Sequence, residues 1–84
     1  MNEAVLHTLR LARAYCADKL IWFAPALYQC KIILTERIPV AAIDNHYNVY
    51  FNPKAIETIS KNRPIEQVVQ EVGFIWIHEI SHVL

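Results

Sequence analysis

Glycine is nearly absent from this chain: Gly73 is the only one in 84 residues. Methionine is also single, and the cysteines are two, Cys16 and Cys30. So little glycine argues against a flexible, low-complexity chain and for an ordered one. Two cysteines make no disulfide framework, and no Cys-x-x-Cys spacing exists, so both read as reduced, partly buried core residues. An excess of one charge is lacking too. Eight Lys and Arg balance eight Asp and Glu, for a formal net charge of +0. The basic residues are scattered, with no cluster to neutralise phosphates, and nucleic acid is not an expected partner. Long apolar runs are missing as well. "LIWFAPAL" (20–27) and "VGFIWI" (72–77) fall far short of the ~20 apolar residues a membrane helix needs. At the N-terminus Glu3, His7 and Arg10 interrupt what would have to be the apolar stretch of a signal peptide. The expectation is a cytoplasmic chain with no membrane partner.

What is present is core material. Hydrophobic residues make up 55%, including two Trp, four Tyr and three Phe. The length allows one small domain, residues 1–84, whose core is marginal without a metal, a partner or a disulfide.

Local patterns predict an α+β fold. Asn2 is placed to cap a first helix running to about Asp18, with Glu3 in its first turn and Val5, Leu9, Ala12 and Cys16 as its apolar stripe; Arg10, Arg13 and Lys19 fall off that stripe. A short helix over Leu20 to Tyr28 follows, limited by Pro25. "KIILTE" (31–36) reads as a strand. "PVAAID" and "YNVYF", on either side of Asp44-Asn45-His46-Tyr47, read as an antiparallel hairpin, so the sheet is expected to be small and antiparallel. Asn52 then caps a helix with Pro53 at its first position, to about Ser60. After the loop Lys61-Asn62-Arg63, Pro64 opens the last helix, with Glu66 in its first turn. Its core stripe is Ile65, Val68, Val69, Val72, Trp76, Ile80 and Val83. Gly73 inside this helix costs roughly 1 kcal/mol against Ala, which close packing against a neighbour would explain.

On the flank of that stripe lies His78-Glu79-Ile80-Ser81-His82, an H-E-x-x-H pattern. Histidines four apart project from consecutive turns, so both can reach one ion, and zinc favours imidazole nitrogens in a tetrahedral shell. Glu79 points to another side, where it is placed to take a proton from a zinc-activated water rather than to ligate. The candidate metal ligands are therefore His78 and His82, and the candidate catalytic base is Glu79. The competing interpretation is a pair of polar residues on the flank of a core helix.

The stretches "APALYQCKIIL", "VAAIDNHYNVYFNPKAIE" and "IEQVVQEVGFIWIHEISHVL" together resemble the bacterial predicted metal-dependent peptidases. In that family a zincin-like metallopeptidase domain precedes a von Willebrand factor A-like domain. The resemblance runs from about Ala12 to Leu84 and is most specific at HEISH and Phe51-Asn52-Pro53; Tyr47 stands where the family often has a turn glycine. It implies the N-terminal half of a zincin-like fold, a zinc cofactor and hydrolysis of peptide bonds in a peptide or protein substrate. It also implies a sheet edge strand across the site helix, able to hold an extended substrate by strand addition. "NVYFN" is the candidate edge, with Asn48, Val49, Tyr50 and Phe51 as candidate substrate-binding residues.

Such zinc sites take a third protein ligand downstream of the motif, and only Val83 and Leu84 follow His82. The chain is accordingly expected to be a truncated domain that needs a missing C-terminal half and has little or no activity alone. Other side chains are weak substitutes for that ligand. Asp44 and His46 read as solvated turn residues, His7 as a surface or packing residue, and Glu71 as a solvated helix-face charge. The aromatic residues Trp22, Phe23, Tyr28, Tyr50, Phe51 and Trp76 read as core. The alternative from another functional class is a non-enzymatic module that binds a partner or pairs with itself. It is motivated by Ile80, Val83 and Leu84, which have little chain left to cover them.

Overall fold

A computed structural model describes residues 2–84. Helix α1 (Glu3–Lys19) is followed by a 3₁₀ turn (Ile21–Phe23), helix α2 (Ala24–Gln29), strands β1 (Lys31–Leu34), β2 (Ala41–Ile43) and β3 (Asn48–Phe51), and helices α3 (Pro53–Ser60) and α4 (Ile65–Ser81). The fold is α+β, and its radius of gyration of 11.8 Å matches the roughly 12 Å of a compact chain this long.

Helix α1 carries Glu3 in its first turn and Lys19 in its last, both favourable to the helix dipole. Val5, Leu9, Ala12 and Cys16 are all buried, as their spacing requires. The Asn2 side chain does not cap the helix; only its carbonyl joins in, accepting from the Leu6 N–H at 2.9 Å. Pro25 starts α2 rather than limiting it, because its fixed φ and missing N–H suit the first helical turn.

The sheet is mixed, not wholly antiparallel. Its order is β1-β3-β2: β2 pairs antiparallel with β3 across the turn, and β1 runs parallel to β3 with Ile33 opposite Tyr50. Strand β3 is therefore central, which corrects its assignment as an edge. The backbone of Asn48 to Phe51 is paired on both sides, and the free edges belong to β1 and β2. Val49 and Phe51 are fully buried, while Tyr50 between them looks to the half-covered face. The turn is closed by Tyr47 at φ 62°. A non-glycine residue there costs roughly 1–2 kcal/mol, which explains why glycine suits this position.

Asn52 ties the end of the sheet to α3. Its Oδ1 accepts from the Lys54 N–H at 2.9 Å, its Nδ2 donates to the Ile38 carbonyl at 2.8 Å, and Pro53 begins the helix. Helices α1 and α4 then form the main packing pair. A Cβ on Gly73 would come within 2.8 Å of Cys16 Sγ, so only glycine lets the two helices approach this closely. The Cys16 thiol uses that proximity to donate to the Gly73 carbonyl at 3.3 Å.

Trp76 is the largest fully buried side chain, and Val68, Val72 and Ile80 share its face. One residue of the expected stripe differs: Ile65, in the first turn, is 47% exposed. Ile80, near the end, is fully buried as the stripe requires, and so is not left uncovered as the self-association alternative supposed. Trp22 and Tyr28 also lie largely on the surface, at 72% and 57% exposure, and are not core. A 3₁₀ turn does not follow the 3.6-residue period, so the helical pattern misplaces Trp22. Among the described residues no helix is long and apolar enough to cross a membrane.

Candidate metal centre

Burial of Trp76 and Ile80 fixes the rotation of α4 and turns His78 and His82 outward. Both histidines are exposed, and Glu79 is half-buried between them and the core. The two Nε2 atoms lie 3.3 Å apart, and the rings meet edge to face at 89° with centroids 4.8 Å apart. Two Zn–N bonds of 2.0–2.1 Å at a tetrahedral angle would separate their nitrogens by roughly 3.3–3.4 Å, so the bite fits zinc. The same separation suits a hydrogen bond between the rings, its direction set by their tautomers. A carboxylate oxygen of Glu79 completes a group whose donor atoms all lie within 4.8 Å of one another.

A recess of about 310 Å³ opens beside this group, lined by Val40, Ala41, Phe74, Ile75, His78 and Glu79. The strand that reaches it is β2, which has a free edge, and not β3. Any extended chain added to the sheet next to His78 and Glu79 would pair with β2.

The other candidates sit elsewhere. Asp44 organises the hairpin turn. Its Oδ1 accepts from the N–H groups of His46 at 2.8 Å and Asn48 at 3.0 Å. Its Oδ2 accepts from Asn48 Nδ2 at 2.8 Å and the Tyr50 hydroxyl at 3.0 Å. These bonds, led by the one from the Asn48 side chain, hold the Asp44 carboxyl well below the usual carboxylate range; in return Asp44 raises the Tyr50 phenol. His46 and His7 are exposed. Glu71 pairs with Arg63 at 2.7 Å, a surface contact of small worth. Both cysteines are free and buried, and burial raises their thiols, so neither is a ready thiolate ligand.

No protein-family model, curated protein or solved structure matches the chain. Its chemistry has to be argued from the site itself.

Arg13 is the residue that helical spacing did not flag. Its guanidinium carbon lies 5.3 Å from the Tyr28 ring centroid and 5.5 Å from that of Trp76. Its Nη1 donates to the Cys30 carbonyl at 3.3 Å, and its Nε is buried without a partner. A long side chain off the stripe can still cross the helix interface, and only its charge and length hinted at this.

Asp44 carries a pH prediction. A carboxylate with a depressed folded pKa stabilises the fold above its unfolded value, about 3.9, and the benefit fades as pH falls below it. The stability gap between wild type and Asp44→Ala should be widest near pH 7 and narrow progressively as pH falls below about 4. Urea midpoints across that range measure it; a gap as wide at pH 2.5 as at pH 7 would refute the ionic role.

Proposed function

We propose that the chain carries the metal-binding and general-base half of a zinc-dependent peptide-bond hydrolase. The observation that supports this is the 3.3 Å bite of the His78 and His82 nitrogens, with the Glu79 carboxylate alongside. His78 and His82 would hold the zinc. When bound, zinc supplies a Lewis acid that activates water and polarises a carbonyl near neutral pH. Glu79 takes the proton of the attacking water and later returns it to the departing amine. The edge of β2 orients an extended peptide alongside, and the Phe74-lined recess receives a side chain. The resemblance to the bacterial metal-dependent peptidases supports the same assignment and the expectation of a peptide or protein substrate in the cytoplasm. With only two imidazoles and one carboxylate in the group, the rate of these 84 residues alone is expected to be low.

Zinc binding tests the foundation of the proposal. Titration of the metal-free chain should show a site that weakens by 100-fold or more in His78→Ala and in His82→Ala. Both side chains are exposed, so neither variant should lose its fold. Unchanged affinity in both would overturn the proposal.

A further inference from the structure

We infer that a divalent zinc ion joins two copies of this chain through four imidazoles, the His78–His82 pair of each. The inference rests on the same zinc-binding role of these two histidines, and it goes further by naming what completes the shell.

The donor set is half of a tetrahedron. Two nitrogens at a 3.3 Å bite occupy two positions, and both rings face solvent on the outer side of α4. Apart from Glu79, no His, Cys, Asp or Glu among the described residues joins the group. A second copy related by a two-fold axis through the ion supplies the missing pair with the same geometry, since an isologous contact presents the same patch twice.

Charge is balanced in this arrangement. Four neutral imidazoles leave the zinc with its full 2+, and the two Glu79 carboxylates, one from each copy, lie close enough to offset it. The whole chain has a formal net charge of +0, so the copies meet without mutual repulsion.

The surroundings suit a protein face. Phe74 precedes His78 by one helical turn and is 77% exposed, and Leu84, beyond His82, is 69% exposed. These are large apolar groups on either side of the histidine pair. An antiparallel crossing of two α4 helices at the metal brings Phe74 of one copy towards Leu84 of the other and removes both from water. The bridged pair has no free position on the metal and is a closed form; hydrolysis belongs to the monomer.

Sedimentation velocity and calorimetric titration of the wild-type chain with zinc chloride test this. The expected result is 0.5 zinc per chain and a mass twice 9.8 kDa, reversed by EDTA. His82→Ala should abolish both the metal uptake and the doubling. Phe74→Ser, which leaves every ligand in place, should weaken the dimer about 10-fold while the monomer still binds zinc. Cobalt in place of zinc should show the intense visible bands of a tetrahedral site. One zinc per chain on a monomer would overturn the bridged dimer and leave the hydrolase proposal standing. No zinc uptake at all would overturn both. A dimer that persists in EDTA and in His82→Ala would show apolar association without metal and would also overturn it.

Discussion

Glu79→Gln is expected to keep zinc and lose hydrolysis, with the already low cleavage of an unfolded polypeptide by these 84 residues falling about a further 10²-fold, to background. The amide has nearly the shape of the carboxylate and the same place on α4, but it cannot accept a proton from water near neutral pH. Glu79 is half-buried beside two exposed histidines, so the replacement disturbs neither the core nor the imidazole pair. Metal content and the release of new amino termini, measured on the same preparations, separate the possible roles. Zinc retained with hydrolysis lost identifies a general base. Zinc lost together with hydrolysis would make Glu79 a third ligand, which its distance from the histidine nitrogens also permits. Hydrolysis at the wild-type rate would remove Glu79 from the chemistry altogether.

The parts of this fold governed by neighbouring residues were legible in the sequence. Asn52-Pro53 combines a capping side chain with a residue suited to the first helical position, and α3 runs from Pro53 to Ser60 as those signals require. The stripe Val5, Leu9, Ala12 and Cys16 is buried because three- and four-residue spacing places one face of α1 against α4. Gly73 could be assigned to close packing because nothing else offsets its cost in a helix, and Cys16 proves to be the neighbour that needs the space. The histidine pair was equally readable, since a spacing of four fixes which side chains meet.

Non-local choices were not legible. The segment around β3 alternates correctly, yet alternation does not say whether one or both of its edges are paired. Its parallel pairing with β1 joins residues 17 apart, Lys31 with Asn48, and no local signal encodes that. The consequence for the site is direct: the free edge beside His78 and Glu79 belongs to β2. Arg13 escaped notice for a related reason, because its guanidinium acts on α2 and α4 rather than on its own helix.

Trp76→Ala should be the most damaging single change to the fold. Its ring is fully buried, lies 5.1 Å from that of Phe51, and donates from Nε1 to the Leu9 carbonyl at 3.1 Å, linking α4 to both the sheet and α1. Removing a buried Trp typically costs about 3–5 kcal/mol. A chain of 84 residues has roughly 4–13 kcal/mol in total, so the substitution should remove between about a quarter and all of it and sharply lower the urea midpoint. Trp76→Phe keeps most of the volume and should lose less, leaving a folded protein with a lowered urea midpoint. The damage also reaches the histidine pair. Trp76 and Ile80 face the core between the turns that carry His78, Glu79 and His82, so the orientation of the imidazole pair depends on their burial. On the zinc-binding role proposed for the paired histidines of the folded helix, adding zinc at 100 times the dissociation constant should restore about 2.7 kcal/mol to Trp76→Phe. Urea midpoints with and without zinc measure this directly. An equal shift in Trp76→Phe carrying His82→Ala would show that the metal acts elsewhere. A wild-type midpoint in Trp76→Ala would show that α4 is held by something other than this side chain.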